Sequence, residues 1–504
     1  MTRQKKLLFN SASSLLYQFV ALICGFILPR IILTTYGSSV NGLVSSVTQF
    51  LGFISLCEMG VGAVVQSSLY KPLADNNLDQ ISKICKSSDR FFKRIAFILV
   101  GYTLILMIVY PFSAIEEFDY LYTFLLIFVI SISTFAQYYF GMTWRLLLSA
   151  DQLGFIHYIV HSASLIVNTV VCVILMKAGM SIHIVKLATS LIFMSQPLTV
   201  CIYAKHKYAI DKNVVLTEEP IKQKWNGLAQ HIATVVLSNT GTVVLTLLST
   251  LENVSVYAVY QLVLNGIKQI ITSLTNGMQA MLGNMLANNE TEELNRTFHS
   301  IEWLLHTVVT YIFGVAAVLL VPFVSVYTAD ITDANYIVPA FSYLFTFANA
   351  VYCIRLPYNI MVLAAGHYKQ TQWSAIIEAV INIAVSVILV LKIGLIGVAI
   401  GTLIAMAYRT VYLAHYLTKN ILYRKIHHFI KHLLIDAVCV IILFLITHLL
   451  PSFFTLGEIN YFSWIVLAVK VAVVALFILI IINCIFYRND LKTVFAKATK
   501  KMTH

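Results

Sequence analysis

The sequence predicts an all-α integral membrane protein of about fourteen transmembrane helices, built as two six-helix lobes in a parallel repeat plus two C-terminal helices. Three observations lead there. Of 504 residues, 59% are hydrophobic and 11% charged, against about 25% charged in a soluble domain. Apolar runs of the roughly 20 residues needed to cross a ~30 Å hydrocarbon core recur along the whole chain. The basic residues between those runs fall almost entirely on alternate sides. Backbone polar groups in lipid must be satisfied within the segment, so such runs are expected to be helices rather than the short alternating strands of a barrel.

Span 1 (8–32) follows Arg3, Lys5 and Lys6 and ends at Pro29-Arg30. It is too long for a cleaved leader and has no small-x-small site. Span 2 (41–66) follows the Tyr36-Gly37 turn and opens on the polar run Asn41 to Gln49. Span 3 (92–112) lies between the basic stretch Lys83 to Arg94 and the acids Glu116, Glu117 and Asp119. Span 4 (120–143) runs to Arg145. Spans 5 (155–176) and 6 (181–203) are joined through Lys177-Ala178-Gly179 and followed by a basic loop. Spans 7 (228–250) and 8 (254–285) meet at Glu252, and span 9 (301–326) leads from Arg296 to Asp330 and Asp333. Span 10 (336–363) precedes Lys369, and spans 11 (372–391) and 12 (394–416) join through Lys392-Ile393-Gly394. Spans 13 (433–451) and 14 (461–486) meet near Glu458 and end in a basic tail.

With the N-terminus in the cytoplasm, cytoplasmic segments carry 26 of 34 Lys and Arg, six lie inside spans, and outer loops carry only Lys177 and Lys392. A miscounted span would invert the downstream half and erase this asymmetry. Both termini are therefore expected to be cytoplasmic, in a cytoplasmic (inner) membrane. The net charge of +12 is then a topology signal that also attracts anionic headgroups. No folded domain presents these scattered charges to nucleic acid, so no nucleic-acid partner is expected.

The halves resemble each other at an offset of about 215 residues. Val173 to Met180, with its Lys177 and Gly179, matches Ile388 to Leu395, with Lys392 and Gly394, and Tyr110-Pro111-Phe112 is echoed by Val321-Pro322-Phe323. Six spans per copy keep both copies in one orientation, a parallel repeat suited to alternating access. The implied lobes are residues 1–226 and 227–432, with 433–504 holding spans 13 and 14 and the tail.

Ionisable groups at membrane depth cost about 2.5–3.5 kcal/mol or more and mark functional positions. They are Arg30, Lys186, Lys268, Arg355, Arg409 and Lys470 against Glu58 and Glu378. Lys268 sits mid-span, where snorkelling is difficult, and is read as cavity-lining. Arg30 and Lys186 sit near outer span ends, where anchoring and ligand contact compete as readings. Arg355 and Glu378 suit a mutual buried pair. Lys470 reads as a packing residue of span 14. His157 and His161, one turn apart, read first as packing residues. The cationic excess favours an anionic substrate, with arginine and lysine both suited to phosphate. The substrate-contact candidates are thus Lys268, Arg30, Arg355, Arg409 and Lys186. Polar faces from Asn41 to Gln49 and from Gln261 to Gln279 suit either sugar hydroxyls or helix–helix contact.

None of the eight cysteines forms a CxxC pair, so neither a disulfide framework nor a metal site is expected. Outer loops of about ten residues or fewer leave no room for a catalytic site, and Glu117-Phe118-Asp119 is too cramped for an acid-x-acid metal motif. Glycine-rich phosphate loops and nucleophile elbows are missing. The sequence therefore predicts no enzyme, no catalytic residue and no cofactor beyond a coupling H+ or Na+.

Leu28-Pro29-Arg30, Tyr36-Gly37-Ser38-Ser39-Val40-Asn41-Gly42-Leu43 and Leu56-Cys57-Glu58-Met59-Gly60-Val61-Gly62 together resemble the N-terminal signature of bacterial polysaccharide flippases, in the multidrug/oligosaccharidyl-lipid/polysaccharide (MOP) transporter superfamily. Glu58 stands where that signature usually has aspartate, and Met59 where it has leucine. The resemblance implies a V-shaped pair of six-helix lobes. They would move an undecaprenyl-diphosphate-linked oligosaccharide from inner to outer leaflet for capsule or O-antigen assembly, alongside a polysaccharide polymerase and glycosyltransferases. Glu58 and Glu378 are then the candidates for the coupling cation. A lipid II-type peptidoglycan precursor flippase shares the fold and lipid carrier. A multidrug exporter of the same superfamily is the further alternative, although span 1 has no Asp or Glu, which cationic-drug exporters tend to place there.

Overall fold

The computed structural model describes residues 3–58, 61–113, 117–208, 210–211, 214, 228–275 and 278–488. Met59, Gly60, Glu116, Lys212, Lys222, Lys224, Asn276, Lys492, Lys497, Lys500 and Lys501, and the expected boundary at 226/227, lie outside them.

The described residues fold into helices and turns, with no strand among them. Helix α1 (Arg3–Gly52) is two helices joined at Gly37, whose φ of 84° and ψ of 176° turn the chain where a side chain would resist. A 3-10 segment (Phe53–Glu58) and α2 (Val61–Ala74) complete the second crossing. The remaining helices are α3 (Leu78–Ser113), α4 (Tyr120–Ala136), a π-turn (Gln137–Gly141), α5 (Met142–Ala150), α6 (Gly154–Lys177), α7 (Ile182–Lys207), α8 (Leu228–Leu248), α9 (Leu251–Leu274), α10 (Met278–Ala287) and α11 (Thr291–Tyr327), then α12 (Pro339–Ile354), α13 (Leu356–Ala364), α14 (Tyr368–Ile393), α15 (Leu395–Asn420), α16 (His427–Leu449), the short α17 (Pro451–Phe454) and α18 (Tyr461–Phe486).

Among the described residues, eleven helical stretches are long and apolar enough to cross a membrane. One of them, Phe9–Glu58, is two crossing lengths bent at Gly37. Helix α8 and the broken pair α9–α10, shorter or more polar, bring the crossings to fourteen. The chain is a multi-pass membrane protein. Four crossings that the sequence presents as unbroken runs are interrupted: the second at Phe53–Glu58, the fourth at the π-turn, the eighth at Thr275 and the tenth at Arg355. Helix α3 begins well before residue 92, because Leu78 to Phe91 forms an amphipathic extension braced by Lys83–Asp79 and Lys93–Asp89 pairs at i,i+4 spacing.

The backbone repeats. Left-handed residues end equivalent helices at Asn76 and Asn289, at Gln152 and Gly366, and at Gly179 and Gly394, spaced 213 to 215 residues apart. Contacts repeat as well: α2 packs on α5 as α10 packs on α13, and α3–α4, α4–α7 and α6–α7 are matched by α11–α12, α12–α15 and α14–α15.

The chain forms two compact units, Met1–Ala258 and Val259–His504, dividing inside α9. In the first, an apolar core runs from Val40 and Leu43 through Leu69, Phe92 and Leu99 to Leu147 and Ala204. Its α1 receives the first turns of α9: Ser39 Oγ donates to Glu252 Oε1 at 2.9 Å, and Asn41 Nδ2 donates to Ser255 Oγ at 2.7 Å. A Cβ on Gly42 would lie 1.9 Å from the Leu251 carbonyl oxygen, so only glycine permits this approach. Between α5 and α6, Asp151 ties three elements together: Lys6 Nζ lies 2.9 Å and Lys207 Nζ 3.3 Å away, and Tyr208 donates its hydroxyl. In the second unit, α16 and α18 pack on α11 around Leu319, Leu443, Val471 and Ala475.

Candidate functional site

The second unit gathers ionisable residues from four crossings. Helix α12 stops at Ile354 because Pro357, in the first turn of α13, has no N–H and its ring would collide with the carbonyl of Cys353. The break places Arg355 at the junction. The Val351 carbonyl accepts from the Arg355 N–H at 3.1 Å and from Thr410 Oγ1 of α15 at 3.3 Å, which ties the end of α12 to α15. Helices α14 and α15 turn back on each other at Gly394 (φ 57°). Their close approach needs Gly397 and Gly401, since a Cβ on Gly401 would lie 2.3 Å from Ser386 Oγ and 2.8 Å from its backbone nitrogen. That contact brings Glu378 of α14 beside Arg409 of α15.

Glu378 is fully buried and takes two guanidinium groups. Arg355 Nη1 donates to its Oε1, and Arg409 Nη1 donates to its Oε2 at 2.7 Å. The arginine side chains are 7% and 6% exposed, so all three charges are out of water. Tyr352 extends the cluster: its ring lies under Arg355 (4.8 Å to Cζ) and also 5.0 Å from Lys268 Nζ. Two guanidinium groups against one carboxylate leave the group net positive, with Lys268 as a further basic side chain, in a setting where charge is weakly screened. The cluster can attract and hold an anion. A ladder of half-buried tyrosines continues along α15 from Tyr408 through Tyr412 to Tyr416, with ring centroids 6.2 Å apart at each step.

Four of the seven residues expected from sequence, Lys268, Arg355, Arg409 and Glu378, thus meet in one place. The expected Arg355–Glu378 pair is a triad, because Arg409 shares the same carboxylate. Both oxygens of Glu378 are committed, so a coupling cation there would have to displace a guanidinium.

The other three lie in the first unit. Arg30 is half-buried on the first part of α1, and Lys186 is half-buried on α7. Glu58 ends the 3-10 segment and accepts from the Tyr138 hydroxyl at 2.5 Å, linking the interruption of the second crossing to the π-turn of the fourth. His157 Nδ1 accepts from Gln196 Nε2 at 3.3 Å, and His161 packs between Tyr17 and Phe193, as packing residues would.

Sequence reasoning missed a second buried cluster, in the second unit. Glu302 of α11 is fully buried, and its Oε1 accepts from Tyr358 (2.7 Å) and Arg424 (2.6 Å). Around it lie His299, His306, His432 and Asp436. Drawing span 9 from residue 301 put Glu302 at a membrane edge, whereas α11 begins at Thr291 and α16 covers it. The spacing His299-x2-Glu302-x3-His306 on one helical face was the available signal.

No family model matches the sequence, and comparison with curated proteins gives no significant match. Solved structures do resemble it. The lipid II flippase MurJ, in an inward closed conformation, aligns with a TM-score of 0.71 at 15% identity, covering 96% of this chain and 99% of that one. A eukaryotic MATE transporter aligns at 0.58 and 12%, covering 82% and 95%. An inward-facing multidrug resistance MATE transporter of the MOP superfamily aligns at 0.50 and 13%, covering 79% and 92%. The chain therefore has the fold of these MOP-type transporters.

Proposed function

We propose that the chain is a flippase that moves a polyprenyl-diphosphate-linked oligosaccharide between leaflets by alternating access, for assembly of a cell-surface polysaccharide. The observation that carries this reading is the net-positive cluster of Lys268, Arg355 and Arg409 around Glu378. A diphosphate is a compact dianion or trianion, and guanidinium forks with a lysine suit its oxygens. The tyrosine ladder beside it offers apolar ring faces with hydroxyl edges, which suit sugars. In this reading the protein sits in the cytoplasmic membrane with both termini inside, and Glu58 takes a coupling H+ or Na+. It transports rather than catalyses, and a polymerase and glycosyltransferases act before and after it on the same lipid carrier.

The likeness to MurJ supports one second reading, a lipid II-type substrate, because the diphosphate-lipid portion is common to both. The anion-favouring cluster speaks against an exporter of cationic drugs.

The test is depletion of the protein in its native cell, with mass spectrometry of lipid-linked saccharides in each leaflet and of surface polymer. Complete repeat units accumulating on the cytoplasmic leaflet support the proposal and identify the sugar. Accumulated lipid II supports the second reading. An unchanged leaflet distribution, in a strain with no redundant transporter, refutes both. Complementation with Lys268→Ala should lower export at least tenfold at normal membrane abundance, with Lys268→Arg restoring much of it. Full export by Lys268→Ala would remove that residue from the substrate path.

A further inference from the structure

We propose that His299, Glu302 and His432 form a binding site for a divalent transition-metal ion of the zinc type, clamping α16 onto α11. One donor atom from each of the three lies within 4.8 Å of the others. Zinc–nitrogen and zinc–oxygen distances of about 2.0–2.2 Å put tetrahedral neighbours roughly 3.3 Å apart, so the side chains need to close by up to about 1.5 Å.

The state of Glu302 singles this cluster out. Its Oε1 is saturated by Tyr358 and Arg424, while its Oε2, fully buried, has no hydrogen-bond partner. That orphaned oxygen faces His432 Nε2 at 3.9 Å, too far for a hydrogen bond. Leaving a buried carboxylate oxygen unsatisfied is unfavourable, and a metal would satisfy it.

The surroundings match what metal sites need. Ligating histidines usually have their second nitrogen fixed by a hydrogen bond, and His432 Nδ1 lies 2.6 Å from the Tyr487 hydroxyl. His306 stacks on His432 with ring centroids 4.9 Å apart, and is itself held by Asp436 Oδ2 at 2.5 Å and the Tyr358 hydroxyl at 3.0 Å. Two carboxylates, Glu302 and Asp436, outnumber the half-buried cation Arg424, which engages the far oxygen. His299 is half-buried and adjoins His428, which provides access from the surface. Two imidazoles and one carboxylate favour zinc and its first-row neighbours over calcium or magnesium. The expectation of no metal site rested on cysteine spacing, and this donor set contains no cysteine. The proposal stands apart from the transport reading, because these residues belong to a different cluster from Lys268 and Glu378.

The experiment uses the full chain, purified in detergent through a non-histidine tag and stripped with chelator. Zn2+ is titrated in competition with a chromogenic chelator, and thermal unfolding is followed with and without the ion. The expected result is one tightly held Zn2+ per chain and a rise in unfolding temperature. His299→Ala, at a half-buried position, and His432→Ala should each weaken binding at least tenfold, while His157→Ala in the first unit leaves it unchanged. No stoichiometric uptake by the unaltered chain would overturn the proposal. So would undiminished affinity in a His299→Ala protein that elutes as a single folded species.

Discussion

Replacing Glu378 by glutamine would remove the one carboxylate that compensates two buried guanidinium groups. The size of the effect follows from exposure. Arg355 and Arg409 are 7% and 6% exposed and Glu378 is fully buried, so the surface-pair value of about 0–1 kcal/mol does not apply. Removing one partner of a buried ion pair costs about 3–5 kcal/mol, because the remaining charge keeps its desolvation penalty. The two arginines share one acid, so their contributions are not additive and that range stands for the triad as a whole. The assay is unfolding in detergent by heat or SDS, with Asp79→Asn as internal reference. Asp79 pairs with Lys83 at exposures of 61% and 33%, and its loss should register below about 1 kcal/mol. A second variant separates structure from function: Arg355→Met, Glu378→Leu and Arg409→Met together. Apolar replacement of a whole buried triad is often neutral or stabilising, so this protein should fold normally and yet lose export of a diphosphate-linked substrate. If Glu378→Gln unfolds like the unaltered chain, the triad is not the buried unit described. If the triple variant exports normally, it is not the anion contact.

Two further outcomes follow from the first unit. Gly42→Ala would place a methyl group 1.9 Å from the Leu251 carbonyl oxygen and should destabilise the chain by about 1–3 kcal/mol or more. Gly101→Ala, which meets nothing within 4 Å, should be neutral or slightly stabilising in the same unfolding assay, and equal effects would contradict the close approach of α1 and α9. At Asp151, burial pushes the carboxyl pKa up, but the Tyr208 hydroxyl, Lys6 and Lys207 outweigh it and hold it below its ordinary 3.8. A depressed carboxyl contributes stability that is fully present above the unfolded value and lost as pH falls through the folded one. The stability gap between the unaltered chain and Asp151→Asn should therefore be constant at neutral pH and shrink below about pH 4. A gap that persists unchanged to pH 2 would show that the ion pairs contribute nothing.

The crossings were legible because hydrocarbon thickness imposes a length and composition that sequence displays directly. Breaks within them were not, since an interrupted helix in lipid keeps an apolar sequence. Pro357 marked the one at Arg355, but the π-turn at Gln137–Gly141 has no comparable residue. The charged cluster was partly legible: each intramembrane charge stood out by its cost, and the Arg355–Glu378 pairing followed from opposite sign and depth. Arg409 joining the same acid depends on the glycine-mediated approach of α14 and α15, which is a property of packing. Glu302 went unseen because its burial comes from α16 and α18, far along the chain.

The repeat also bears on why the triad exists. Helices α5 and α13 begin at Met142 and Leu356, so the break at Arg355 corresponds to Gly141 in the first unit. Helices α6 and α14 begin at Gly154 and Tyr368, which sets Glu378 against Ser164, while the buried Asn168 and Asn382 coincide. The first unit interrupts the corresponding crossing with a π-turn, and has neither a guanidinium nor a carboxylate at those two positions. It uses a glycine instead, against which Pro197 packs so closely that a Cβ would lie 2.6 Å from the proline Cβ. An ion triad is therefore not what this backbone requires to break and reseal a membrane helix. Its presence in only one of the two repeats, at the cost of burying three charges, is what the proposed recognition of a charged ligand would explain.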